Sequence, residues 1–218
     1  MPGKVNEGFA RMIKILGRVT SINVRKALWV LDELGVAYER EDWGLPLRDP
    51  KVPEFMALNP NAQVPVLIEG DFVLWESIAI MTYLNQVHGR NALLPQSAQE
   101  QALAIQWVLW QNNEMGTHWG YPLRSIIRKE AGFDDPGLLA QNIAAWTAKM
   151  RIIEAHLATS GPFVVGGHFS LADIAITLGL HRWFAIPFEH EPLPAAEAYY
   201  QRMLERPAAQ AWLAPQTP

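Results

Sequence analysis

The sequence predicts an α/β half followed by an all-α half, and three observations carry that expectation. Strand-like and helix-like patterns alternate over residues 12–88. From residue 97 onward only helical periods recur. Half of the 218 residues are hydrophobic against 18% charged, ample material for two cores. The segment GRNALLPQ, residues 89–96, reads as the linker, and residues 97–218 as the helical half.

Each element of the first half has its own signal. Residues 12–16 form a short apolar strand. A helix follows over residues 24–34, with Val24, Ala27, Leu28, Leu31 and Leu34 at helical spacing and Gly35 suited to the left-handed stop. The run AYERE, residues 37–41, reads as a second, partly exposed strand. The prolines and glycine of WGLPLRDPKVPEF break any period and make a loop, with a short helix over residues 53–58. Strands over 64–69 and 72–75 flank Gly70-Asp71, a hairpin signal. A helix opening near Ser77 carries Ile78, Met81, Leu84 and Val87. The order βαβ, helix, hairpin, helix gives one mixed sheet, because a parallel pair needs a crossover and a hairpin adds antiparallel strands.

In the second half, one helix holds Ala102, Ile105, Trp107, Leu109 and Trp110. Another starts at Asp135-Pro136 and carries Leu139, Ile143, Trp146, Met150, Ile153 and Leu157. The clearest helix entry is Phe169-Ser170-Leu171-Ala172-Asp173-Ile174. Ser170 can cap an amide near Asp173, Asp173 can reach back, and Phe169 can pack on Ile174. That arrangement is a folding device contributing about 1 kcal/mol.

Composition removes several function classes. The net charge is −4 and no run of Lys or Arg tracks phosphates, which argues against nucleic acid. No window approaches the length of a membrane-spanning apolar helix. Residues 1–11 lack the apolar stretch of a secretion signal and read as a flexible extension, so a cytoplasmic location is expected. There is no cysteine, hence no disulfide and no protein thiol nucleophile; any thiol chemistry needs a sulfur brought by a ligand. The six histidines are scattered without ligand spacing, and no metal is expected.

Several residues bear two readings each. Ser21 lies at the first strand-to-helix turn, where it is either a helix cap or a hydroxyl at the place where open α/β sheets bind ligands. Thr20 and Asn23 are near enough to supply or assist a donor. Pro65 after Val64 is an ordinary strand-opening proline or a shaped turn. Ser77 after Glu76 is an N-cap or part of an anion site at a helix start. Trp107, Trp110, His118, Trp119 and Tyr121 are either core or the apolar wall of a pocket.

Five short motifs, in order, resemble the cytosolic glutathione transferase superfamily in its serine type. TSINVRK is similar to the family's active-site turn, with Ser21 four residues before Arg25. NPNAQVPVL resembles its cis-proline loop and strand, and WESIAIMTYL its γ-glutamyl-binding turn. GGHFSLADI resembles the capping motif of the family's sixth helix, and YYQRMLERPA its penultimate helical segment. The likeness covers roughly residues 12–212.

The resemblance implies a thioredoxin-like first domain binding glutathione, a helical domain lining a pocket for a hydrophobic electrophile, and a homodimer. It implies Ser21 as hydrogen-bond donor to the glutathione thiolate, with Thr20 and then Asn23 as the other candidates. Val64, before a cis Pro65, would pair its backbone with the tripeptide, assisted by Gln63. Ser77 would take the γ-glutamyl carboxylate and Glu76 the ammonium, while Arg48 or Trp43 would meet the glycine carboxylate. Trp110, Trp119 and Tyr121 would face the electrophile. The activity implied is conjugation of glutathione to an electrophile. A non-catalytic glutathione-binding module, and a peroxidase, isomerase or dehalogenase on the same fold, are the alternatives.

Overall fold

Strand β1 (Ile13–Leu16) runs parallel to β2 (Tyr38–Glu41), with Ile13 opposite Tyr38. On its other side β1 is antiparallel to β3 (Val66–Glu69), with Leu16 opposite Val66. A hairpin through Gly70, at φ 63°, leads to β4 (Phe72–Trp75), which closes the order β2-β1-β3-β4. The inner strands are apolar because both faces are covered: Ile13, Ile15, Val66 and Leu67 are buried. The outer strand β2 carries Glu39, Arg40 and Glu41, charges that discourage a further strand. The opposite edge is different, since Phe72 and Trp75 on β4 are 43% and 37% exposed. The computed structural model describes residues 12–214. The extension expected over residues 1–11 lies outside these described residues.

Helix α1 (Ile22–Leu34) connects the parallel pair. It starts two residues before the expected Val24 and ends at Gly35, whose φ of 65° is the left-handed stop. Its burial is wider than one stripe: Trp29 and Val30 are enclosed along with Val24, Ala27, Leu28 and Leu31, while Leu34 is only half-buried. Gly17 allows the close approach, because a Cβ there would stand 2.4 Å from Val24 Cγ2. The short helix α2 (Pro53–Met56) contributes Phe55 to a cluster with Leu16, Trp43 and Val66. Helix α3 (Ser77–Val87) follows β4.

Two compact units result, one up to Ile80 and one from Met81. The sequence texture changes later, at residues 89–96. Those residues are fastened within the second unit rather than loose. Asn85 Oδ1 accepts from the Leu93 N–H at 2.8 Å, and the Leu171 N–H donates to the Leu93 carbonyl at 3.0 Å.

The second unit is helical throughout. Helix α4 (Ala98–Trp110) is capped by Ser97, which accepts from the Glu100 N–H. A π-helical turn, Gln111–Met115, continues into α5 (Gly116–Pro122) and a second π turn, Leu123–Ile127. The periodicity of the sequence does not announce these wide turns. Pro122, which has no N–H to donate, sits directly before the second one. Helix α6 (Pro136–Leu157) opens with Asp135 accepting from the Gly137 and Leu138 amides, and buries Trp146, Met150, Ile153 and Leu157. Helix α7 (Leu171–Ala185) is enclosed from Leu171 to Trp183. Helix α8 (Pro194–Leu204) has no side-chain cap of its own. Instead Glu154 of α6 accepts from the Ala195 and Ala196 amides at 3.0 and 2.8 Å. Among the described residues no helix is long and apolar enough to cross a membrane.

Candidate functional site

A cavity of about 200 Å³ opens in the first unit, lined by Asn23, Asn59, Gln63, Val64, Pro65, Glu76 and Ser77. It is smaller than the roughly 300–1,000 Å³ that encloses a drug-sized ligand, so it suits one end of a longer molecule. Three separate chain segments meet there: the start of α1, the loop before β3 and the turn from β4 into α3.

The loop before β3 is built around Asn59, which is 2% exposed. Its Nδ2 donates to the Gln63 carbonyl at 2.8 Å, and its Oδ1 accepts from the Asn61 backbone and side-chain N–H groups at 3.0 Å. These bonds fold the loop back on itself and deliver Gln63 and Val64 to the cavity. The Val64-Pro65 bond is cis, and Pro65 is buried beside the start of β3. Val64 Cβ also lies 3.3 Å from where a Cβ on Gly17 would stand, so this loop packs against the turn after β1. Asn59 was not singled out from the sequence. The signal available was an Asn-Pro pair, a side chain suited to bond its own backbone two residues on.

At the third segment, Glu76 adopts φ 73° and its carbonyl accepts from the Ile80 N–H at 2.9 Å. A non-glycine residue in this region costs about 1–3 kcal/mol, and the strain re-aims the chain between strand and helix. Ser77 is therefore the first helical residue rather than the cap, and it is 4% exposed at the cavity wall. The cavity wall there carries the Ser77 hydroxyl at a helix start, where free amides favour an anion, beside Glu76.

The turn after β1 presents the three candidate donors differently. Ser21 occupies the N-cap position of α1 in extended conformation, with its carbonyl accepting from the Arg25 N–H at 3.0 Å, yet its side chain makes no cap hydrogen bond. Thr20 is exposed, and its Oγ1 accepts from Arg18 Nη1 at 2.7 Å. Asn23 lines the cavity, whereas Ser21 and Thr20 do not.

Comparison with known proteins fits this geometry. The family model described as glutathione S-transferase, N-terminal domain, matches residues 12–86, and the C-terminal domain model matches residues 136–214. Glutathione S-transferase GstB of Escherichia coli strain K12 is 32% identical over 199 residues, covering 90% of this chain and 95% of its own. The chain belongs to the glutathione S-transferase family. Glutathione S-transferase 1 of Zea mays is 28% identical over 205 residues, covering 91% of this chain and 94% of its own. Among solved structures, the theta class glutathione S-transferase of Xanthomonas axonopodis pv. citri with glutathione bound superposes with a TM-score of 0.88. It shares 35% identity and covers 94% of this chain and 98% of its own. The thioredoxin-like first domain and the helical second domain are those of this family.

The remaining expected residues of this glutathione S-transferase lie elsewhere. Trp43 is 4% exposed and belongs to the core, its ring 4.8 Å from Phe55 and its Nε1 donating to Glu41 Oε2 at 3.3 Å. Glu41 also accepts from Lys14 Nζ at 2.8 Å, and these two donors hold its carboxyl below the usual range. Arg48 stacks over Trp43 at 3.6 Å and approaches Glu54 at 3.6 Å. Neither Trp43 nor Arg48 lines the cavity.

In the helical unit the three aromatics expected together have separate partners. Trp110 is edge-on to Trp107 at 5.1 Å. Trp119 is buried near Trp146 at 6.1 Å. The Tyr121 hydroxyl accepts from the Asp135 N–H at 3.1 Å. A cavity of about 530 Å³ in that unit is lined instead by Phe184, Pro194, Glu197, Ala198, Tyr200 and Gln201. Among the described residues, no group of three or more His, Asp or Glu side chains is placed to hold a metal ion.

Proposed function

We propose that this glutathione S-transferase binds glutathione with its γ-glutamyl end at Glu76 and Ser77 and its backbone along Val64, and that Ser21 holds the sulfur as a thiolate for attack on a hydrophobic electrophile. The observation that carries the reading is the gathering of Gln63, Val64, Pro65, Glu76 and Ser77 around one cavity, an acid and an anion site matched to a zwitterion. Glutathione in the Xanthomonas relative supports the choice of ligand. Ser21 is supported by its hydroxyl, which α1 does not use as a cap.

A free thiol with pKa near 8.5 is only about 3% ionised at pH 7. A hydrogen bond to a charged acceptor contributes roughly 1.5–3 kcal/mol, enough to lower that pKa by about one to two units. A quarter to three quarters of the bound ligand then carries the reactive form. Alignment of the two reactants adds more than this polarity does. The proposed working unit is a cytoplasmic homodimer, and the exposed Phe72 and Trp75 on edge strand β4 support a partner surface there.

Ultraviolet titration of the bound thiol tests the reading. Ser21→Ala is expected to move the thiolate transition upward by about one to two units with glutathione affinity within a few-fold. Superimposable curves would remove Ser21 from the mechanism, and calorimetry showing no binding of millimolar glutathione would remove the ligand.

A further inference from the structure

Arg18, in the turn after β1, has a side chain that packs on a neighbouring segment and is bonded to a candidate hydroxyl. Its backbone N–H donates to the Trp43 carbonyl at 2.9 Å and its carbonyl accepts from the Ser21 N–H at 3.1 Å. The side chain lies flat on Gly44, where a Cβ would meet Arg18 Nε at 3.1 Å and Cδ at 3.3 Å. Gly44 has φ 103°, a conformation that favours glycine, and a Cβ there would crowd the Arg18 side chain. From this seat Nη1 donates to Thr20 Oγ1 at 2.7 Å.

The chemistry of that bond is directional. The guanidinium only donates, so the Thr20 oxygen is the acceptor and its own hydrogen is aimed at some other acceptor. A cationic donor on the oxygen polarises the hydroxyl and strengthens what it can donate. Thr20 is thereby a donor and not a base, one residue before Ser21.

We propose that Arg18 is a positioning residue for thiol activation: it orients and polarises the Thr20 hydroxyl as a second donor to the glutathione sulfur, and its fixed positive charge favours the thiolate. This rests on the proposed glutathione reading. The charged groups on the segments packed around the turn include Arg40, which donates to the Gly17 carbonyl and pairs with Asp42, then Glu41 with Lys14, and Arg48 above Trp43. Arg25 and Lys26 are buried on α1, and Glu76 stands at the cavity. The field at a bound sulfur is the sum of these charges, and Arg18 is tied directly to a hydroxyl of the turn.

The test compares the full-length protein with Arg18→Gln, Arg18→Lys and Thr20→Val. Glutathione binding is read by calorimetry, the bound thiol by ultraviolet titration, and kcat/KM by its pH profile with a dinitrochlorobenzene reporter. Arg18→Gln is expected to raise the thiol pKa by about one unit, lowering kcat roughly tenfold below neutral pH, with glutathione KM within about twofold. Arg18→Lys keeps the charge and should recover most of the shift, while Thr20→Val should show a smaller rise. If Arg18→Gln proves unfolded by circular dichroism, the Thr20→Val titration and the Arg18→Lys profile carry the same test. Wild-type titration curves in Arg18→Gln and Thr20→Val, with glutathione still bound, would overturn the role of Arg18 and leave the glutathione reading intact. Absence of glutathione binding by the wild-type protein would overturn both.

Discussion

Ser170 and Ser21 each stand at the N-cap of a helix, and their hydroxyls differ in what they bond. Ser170 starts α7 with its hydroxyl fully engaged: it accepts from the Ala172 N–H at 3.3 Å and donates to Asp173 Oδ2 at 3.0 Å. Asp173 also accepts from the Ser170 N–H, the Val164 N–H and the Tyr199 hydroxyl, each at 2.8 Å. Burial pushes the Asp173 carboxyl up, and these donors work against that shift. Ser21 starts α1 in the same extended conformation, yet its hydroxyl makes no cap bond. A cap serine whose hydroxyl is committed to its helix holds a fold together; one whose hydroxyl is not can serve a ligand. The two look alike in sequence because both precede an apolar-periodic run.

The sharpest break of that contrast is Asp173→Ala. It strands three kinds of buried donor, each costing about 1–3 kcal/mol, so a loss on the order of 4 kcal/mol is expected from the denaturant midpoint. A loss under about 1 kcal/mol would mean the network is ornamental. Gly17→Ala comes next, since the added methyl would stand 2.4 Å from Val24 Cγ2. Overpacking of this kind costs about 1–3 kcal/mol, and thermal unfolding should show it. That result would establish that the turn before α1 is held by close packing where α7 is held by a cap. Ser170→Ala should cost about 1 kcal/mol, the ordinary effect of removing a cap. Ser21→Ala should be smallest in stability, within about 0.5 kcal/mol, while changing the titration of bound glutathione. Equal stability losses in the two serine variants would erase the distinction.

Much of the scaffold was legible from local pattern. The apolar strands, the Gly35 stop, the Gly70-Asp71 hairpin, the Asp135-Pro136 helix entry and the Ser170 box all depend on neighbours a few residues away, and periodicity or turn chemistry registers them. Other features depend on residues far along the chain. Glu154 closes the start of α8 across forty-one and forty-two positions, which no reading of α8 alone reveals. Trp43 has an indole N–H that suits a carboxylate, but its burial beside Phe55 and its bond to Glu41 follow from packing. The π turns around α5 likewise carry no periodic mark. At the candidate site the cavity-lining motifs were readable as short segments, whereas Asn59 was missed because its bonds act inside a loop that has no period.

The sequence alone determined the order of elements, the mixed sheet followed by helices, and the short list of residues with chemistry to offer, because propensity, spacing and capping are local. Tertiary structure decided which of those residues meet. It set Asn23, Asn59, Gln63, Val64, Pro65, Glu76 and Ser77 around one cavity and kept Trp43 in the core. The reason is physical: a side chain's role depends on whether its polar atoms already have partners, and those partners arrive from segments that only folding brings into reach.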